Sequence, residues 1–179
     1  DAYRDFYQYA WPILRKHSVP AVLFVPTGNI GPQRPYWWEV LTAAGRSDLQ
    51  EIYKSLPPEE RNGAADRMLA DLPDDARRTL SAISCTWAML REIAADGLIE
   101  IGAHTKYHSS LGALSAPQIE QEIDDSLVDL ERELGWRPRL FAFPHGGPTD
   151  VSETAFELLA AHGVTAAFTT SSGSVDSQR

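Results

Sequence analysis

Ile99-Glu100-Ile101-Gly102-Ala103-His104-Thr105-Lys106-Tyr107-His108 is the stretch on which the reading of this chain turns. Its first five residues form a short apolar run of strand character, and a histidine pair four residues apart follows directly. Upstream, Trp87, Leu90, Ile93 and Ala94 share one face of a helix predicted over 86–96, which stops at Gly97. Downstream, Ser115 with Gln118 three residues on has the form of a capping box and predicts a helix over 116–134. Ile119, Ile123, Leu127, Leu130 and Leu134 make its apolar stripe, and Gly135 supplies the stop. Further out, Ala21-Val22-Leu23-Phe24-Val25-Pro26 reads as a buried strand, and 140–143 and 166–170 as two more. A helix opened by Asp150 is predicted to run to His162. Another covers 6–17, where Pro12 must kink it or begin its regular part. Strand and helix alternate, which predicts an α/β fold with a mostly parallel sheet.

Residues 45–84 depart from that alternation. Leu49, Ile52, Tyr53 and Leu56, then Met68, Leu69 and Leu72, have helical spacing broken by Pro57-Pro58 and Pro73. The stretch reads as an α-helical insertion that holds no group of chemical character, within one domain spanning 1–179. Sixteen basic against 25 acidic residues give a net charge of −9, which repels phosphate backbones and argues against a nucleic-acid partner. No apolar run approaches the ~20 residues of a membrane span. The opening Asp1-Ala2-Tyr3-Arg4-Asp5 has no apolar signal-peptide segment, so the compartment stays open between cell envelope and cytoplasm. Cys85 is the single cysteine, which excludes an internal disulfide and a thiolate-rich zinc site. Gly146-Gly147 lacks a phosphate-loop pattern. Neither composition nor pattern speaks to oligomeric state.

Sites in α/β sheets form at the carboxyl ends of strands. Three segments lie there: 104–108, Pro144-His145-Gly146-Gly147 and Pro26-Thr27-Gly28-Asn29. Histidines at i and i+4 can turn two imidazole nitrogens toward one divalent ion. The alternative is one histidine capping a backbone carbonyl and the other solvated; a position just past a strand end favours the metal. Trp37-Trp38 could stack on sugar rings or could belong to the core. Thr27 and Asn29 either line the site or serve turn chemistry. Tyr107, between the histidines, covers their loop.

His104-Thr105-x-x-His108 resembles the metal-binding H-[ST]-x-x-H motif of the polysaccharide deacetylases, the NodB-homology domains of carbohydrate esterase family four. Phe141-Ala142-Phe143-Pro144-His145-Gly146 is similar to that family's third motif. Asp1-Ala2-Tyr3-Arg4-Asp5 resembles the tail of its first, T-F-D-D-G-Y-x-D, and Tyr9 to Val25 continues the likeness. The resemblance covers most of the chain outside the insertion. It implies a distorted (β/α) barrel, incomplete here, and a divalent metal, zinc first with cobalt or nickel as alternatives. It also implies Asp1, His104 and His108 as ligands and an oxyanion contact from the backbone N–H of His145. Thr27, Trp37, Tyr107 and Pro144 are then expected against an N-acetylated saccharide.

The departures from the family pattern carry expectations of their own. The family's catalytic base would precede Asp1, and its late acid histidine would follow Arg179. Ala142 stands where many members have arginine. The chain is therefore expected to be an internal piece of a longer enzyme. The activity implied is removal of N-acetyl groups from a saccharide, with release of acetate. An allantoinase-like hydrolase of a cyclic amide and an inactive, metal-containing saccharide-binding domain are the alternatives.

Overall fold

The computed structural model describes residues 1–31 and 34–172. Four parallel strands, β1 (Ala21–Val25), β2 (Ile99–Ala103), β3 (Leu140–Ala142) and β4 (Ala166–Phe168), lie in chain order in one sheet. β1 and β2 pair along five residues, from Ala21 with Ile99 to Val25 with Ala103. β2 meets β3 at Ala103 and Phe141, and β3 runs beside β4 from Leu140 with Ala166 to Ala142 with Phe168. A straight sheet would hold the first and last strands far apart. Here the rings of Phe24 on β1 and Phe168 on β4 lie 5.4 Å apart, so the sheet is curled. Gly102 makes that possible on β2: a Cβ there would come within 2.5 Å of the Phe24 ring. The α/β class and the parallel sheet agree with the sequence, and the curl is that of an incomplete barrel.

The helices are α1 (Trp11–His17), α2 (Trp37–Ala43), α3 (Gln50–Ser55), α4 (Pro58–Ala70), α5 (Asp74–Ser81), α6 (Trp87–Ala95), α7 (Ala116–Leu134) and α8 (Glu153–Ala161). A π-helical stretch, Phe6–Ala10, leads without a break into α1, and Pro12, which has no N–H to donate back to the preceding turn, sits where the regular part begins. α7 begins with the Ser115–Gln118 capping box and ends on Gly135 in the left-handed conformation. Its Ile119, Ile123, Leu127 and Leu130 are buried in the main core with Leu90 and Ile93 of α6 and with the strand residues Val25, Ile101 and Phe141. Each such side chain contributes roughly 1.5–3 kcal/mol by leaving water. Helices α2 to α5 lie between β1 and β2, around a smaller cluster of Trp37, Leu41, Tyr53 and Ala65.

Several boundaries differ from their expectations. Asp150 does not open a helix: α8 starts at Glu153 after Ser152, and Asp150 is buried in the preceding turn. Its carboxylate accepts from Ser110 Oγ at 2.7 Å and from the Gly147 N–H at 3.1 Å, partners that a helix N-terminus would have replaced. β3 and β4 also end one and two residues early, at Ala142 and Phe168. No helix among the described residues is long and apolar enough to cross a membrane.

Candidate metal centre

β2 delivers His104 at its carboxyl end. Nδ1 of that ring lies 2.7 Å from the carbonyl oxygen of Ala142, at the end of β3. Nδ1 therefore carries the proton and donates it, leaving the Nε2 lone pair free. Nε2 points at Asp1 Oδ1, 3.1 Å away, and His108 Nε2 reaches the same oxygen at 3.1 Å. One oxygen and two imidazole nitrogens thus lie within 4.8 Å of one another.

The loop between the histidines is strained and held on every side. Thr105 (φ +63°) and His108 (φ +56°) are left-handed without being glycine, at a cost of order 1–3 kcal/mol each. Ser109 N–H donates to Thr105 Oγ1 at 3.1 Å. From the loop after β1, the Thr27 and Gly28 N–H groups donate to the Thr105 and Lys106 carbonyls. Glu122 of α7 accepts the Tyr107 N–H at 3.0 Å, and Arg61 of α4 donates to the Tyr107 carbonyl and to Ser109 Oγ at 2.9 and 2.8 Å. Asp1 is anchored too. Its carbonyl accepts the Tyr36 hydroxyl, and Ala2 accepts the Cys85 N–H at 2.8 Å.

Burial governs the electrostatics. It pushes His104 down to about 3, His145 down to about 4 and His108 well below the ordinary range. All three imidazoles are uncharged at neutral pH, the only form that can donate a lone pair to a metal. With bonds of ~2.0–2.2 Å, tetrahedral ligand atoms stand roughly 3.5 Å apart, close to the 3.1 Å between Asp1 Oδ1 and each imidazole nitrogen. His104 already has the carbonyl partner typical of a ligating imidazole, and a carboxylate with two imidazoles is a donor set that suits zinc. Asp1, His104 and His108 fit a divalent ion.

The remaining predicted residues separate. Trp37 is 4% exposed and stacks on Tyr53 in the smaller core cluster. Its neighbour Trp38 turns toward the site, with ring centroids 4.5 Å from His108. Trp38 Nε1–H donates to the Tyr3 hydroxyl, which donates to Glu39, both at 2.6 Å, so the indole is fixed in place. Thr27 is buried, with its hydroxyl given to Asp129 at 2.9 Å. Tyr107 lies over Gly28, where a Cβ would come within 2.3 Å of its ring, and away from the histidine rings' cavity. Pro144 is buried, and its carbonyl accepts the Gly146 N–H at 2.7 Å.

His145 stands in the left-handed region (φ +63°), and its ring meets His108 edge-on at 4.9 Å. The sequence pointed only to its backbone; the side chain lines the site as well. An open cavity of about 250 Å³ is bounded by Asp1, His108, His145, Trp38, the largely buried Trp37 and, from α3, Gln50, Glu51 and Lys54. Lys54 Nζ lies 2.8 Å from Asp150 Oδ1 and so ties α3 to the loop that carries His145. Lys54, Arg61 and Glu122 were invisible in the sequence. Each sits among charged helix residues whose pattern gives no sign of the tertiary contact.

Comparison with known proteins fits this geometry. The sequence model described as "Polysaccharide deacetylase" matches residues 1–167. None of the curated protein sequences compared with the chain matches it. Among solved structures, the chain resembles the Streptococcus pyogenes deacetylase PplD in complex with acetate (21% identity, TM-score 0.62, 97% of this chain and 54% of that one). It also resembles IcaB from Ammonifex degensii (21%, 0.60, 94% and 56%) and the BpsB deacetylase domain from Bordetella bronchiseptica (19%, 0.62, 97% and 62%). At these identities the likeness is one of fold, and the chain spans between 54% and 62% of each of the three. With its sequence matched from Asp1 almost to the end of β4, the chain belongs to the polysaccharide deacetylase family.

Proposed function

We propose that this chain carries the metal site of a hydrolase that removes N-acetyl groups from a saccharide, water adding to the acyl carbon as the C–N bond breaks to give acetate and a free amine. The observation that carries the reading is the convergence of Asp1 Oδ1, His104 Nε2 and His108 Nε2 at the strand ends of a polysaccharide deacetylase fold. Asp1, His104 and His108 would hold the ion, zinc by donor type, with cobalt or nickel also suited. Bound there, a divalent ion polarises a carbonyl and acidifies water.

The chain's own groups supply the rest of the surface. His104 keeps its proton on Nδ1 through the Ala142 carbonyl, so Nε2 stays available at neutral pH. Trp38 offers a fixed aromatic face beside His108, suited to the apolar face of a sugar ring. The His145 backbone N–H, in its left-handed turn, is the donor we assign to the developing oxyanion. The Pro144 carbonyl, in the same peptide plane as that N–H, accepts the Gly146 N–H at 2.7 Å, which fixes the plane's direction.

The test is acetate release from an N-acetylglucosamine oligomer by the protein that carries this chain. Chelation is expected to abolish release and Zn²⁺ or Co²⁺ to restore it. His104→Ala and His108→Ala should each lower Zn²⁺ affinity beyond the ~10²-fold typical of outer-shell changes while the metal-free protein still folds. Undiminished release after exhaustive metal removal overturns the reading.

A further inference from the structure

The helical segment between β1 and β2 contributes the largest fully buried side chain among the described residues, Arg61 (0%). Its guanidinium lies over the Trp37 ring at 5.5 Å and sends Nη2 to Tyr107 O and Ser109 Oγ. Nε and Nη1 are buried with no partner among the described residues. A buried cation is a poor packing element, and an apolar side chain of similar volume would fill the space at less cost in desolvation. The loop contacts are what the charge and the two N–H bonds of Nη2 supply here.

Those contacts fall on either side of His108. The Tyr107 carbonyl belongs to the peptide plane that leads into His108, and Ser109 follows it. The peptide one step earlier is held through the Tyr107 N–H by Glu122, which is buried on α7. Two elements far apart in sequence therefore grip consecutive peptide planes just before a left-handed histidine (φ +56°). His104, by contrast, takes its direction from β2 and from the Ala142 carbonyl. We propose that Arg61 is a positioning residue for the metal site: with Glu122 it fixes the 105–109 loop so that His108 Nε2 faces Asp1. The proposal rests on the reading of Asp1, His104 and His108 as metal ligands, and it extends the site to a side chain from the helical segment.

The experiment compares Arg61→Met, Arg61→Lys and Glu122→Gln with the unaltered chain in three readouts. These are Zn²⁺ affinity by chelator competition, the visible spectrum of the Co²⁺-loaded protein, and the imidazole ¹⁵N resonances in the metal-free state. Arg61→Met should weaken Zn²⁺ binding ~10–100-fold, the range for outer-shell partners. The Co²⁺ bands should change with it. In the metal-free protein the His108 ring resonances should move while those of His104 stay. Arg61→Lys, which keeps the charge but loses the reach and direction of the planar Nη2 group, should fall in between. A folded Arg61→Met that matches the unaltered chain in all three readouts overturns the proposal. Should Arg61→Met fail to fold, Arg61→Lys and Glu122→Gln decide, and unchanged values in both overturn it equally. An unaltered chain that binds no Zn²⁺ would instead defeat the metal reading, while the His108 resonances would still test the positioning.

Discussion

The curled sheet and the helical segment between β1 and β2 meet at one site, and they act on it by different physics. The sheet places groups by register. Pairing of Val25 with Ala103 and of Ala103 with Phe141 fixes where each strand stops, and the loops that carry the histidines start from those ends. Its supports are apolar and buried: Ile101, Phe141, and Leu127 from the covering helix α7. The helical segment has a small apolar cluster and places groups by charge. Arg61 and Lys54 leave α4 and α3 to hold the loops after β2 and β3. Perturbing the sheet should therefore cost global stability, whereas perturbing the helical segment's cations should cost local geometry.

The largest effect expected on the sheet side is from Leu127→Ala, a buried large-to-small change in α7. Urea unfolding should report a loss of ~2–5 kcal/mol, with Zn²⁺ affinity of the folded fraction unchanged. Equal damage to metal binding would mean that the core, too, tunes the site.

Acid gives the next effect. His104 titrates near 3 in the folded state against 6.5 in the unfolded chain. At neutral pH both states are uncharged and nothing is lost. As pH falls below 6.5 the unfolded chain gains a proton the folded one refuses, so stability drops by ~1.4 kcal/mol per pH unit for such a group. His108 and His145 shift the same way. Glu122, raised by burial, opposes them in part. Asp129 and Asp150 keep depressed values, so their contributions are lost only below about 3.8. Chelator-treated protein should therefore show a falling urea midpoint between pH 6 and 4.5. A flat midpoint would mean that the imidazoles are not held neutral by burial.

The smallest effect sharpens the comparison most. Lys54 and Asp150 lie 2.8 Å apart with the carboxylate buried. A double-mutant cycle with Lys54→Met and Asp150→Asn should give a coupling of ~0.5–3 kcal/mol. Global stability should change less than in Leu127→Ala, while substrate KM rises. Zero coupling would leave the 144–150 loop to the sheet alone.

Much of the frame was legible from local rules. The Ser115–Gln118 box, the stripe Ile119–Ile123–Leu127–Leu130 and Gly135 define α7 by neighbours within a few residues. β1 and β2 announced themselves as apolar runs, and the histidine pair by its place after one of them. Asp150 misled because a turn and a helix N-cap use the same carboxylate chemistry, and Ser110, forty residues away, decides between them. Arg61 and Lys54 lay beyond local rules altogether: Glu59-Glu60-Arg61 has the pattern of a solvated face, and the Trp37 ring and Tyr107 carbonyl that receive Arg61 come from other elements.

The separation of Asp1 from His104 along the chain has a consequence for biosynthesis. At a ribosomal rate of roughly 5–20 residues per second, the carboxylate emerges about 5–20 s before the imidazoles it faces. During that interval the edge of β1 that β2 will pair has no partner yet, because β2 carries those residues. The helical segment, made of near-neighbour contacts, can form meanwhile, whereas closing the long β1–β2 connection must wait and is slow by topology. Arg61 is thus synthesised, and its helix available, before the loop it grips exists. Nascent chains paused just short of His104 would expose the β1 edge to a chaperone or to another nascent chain.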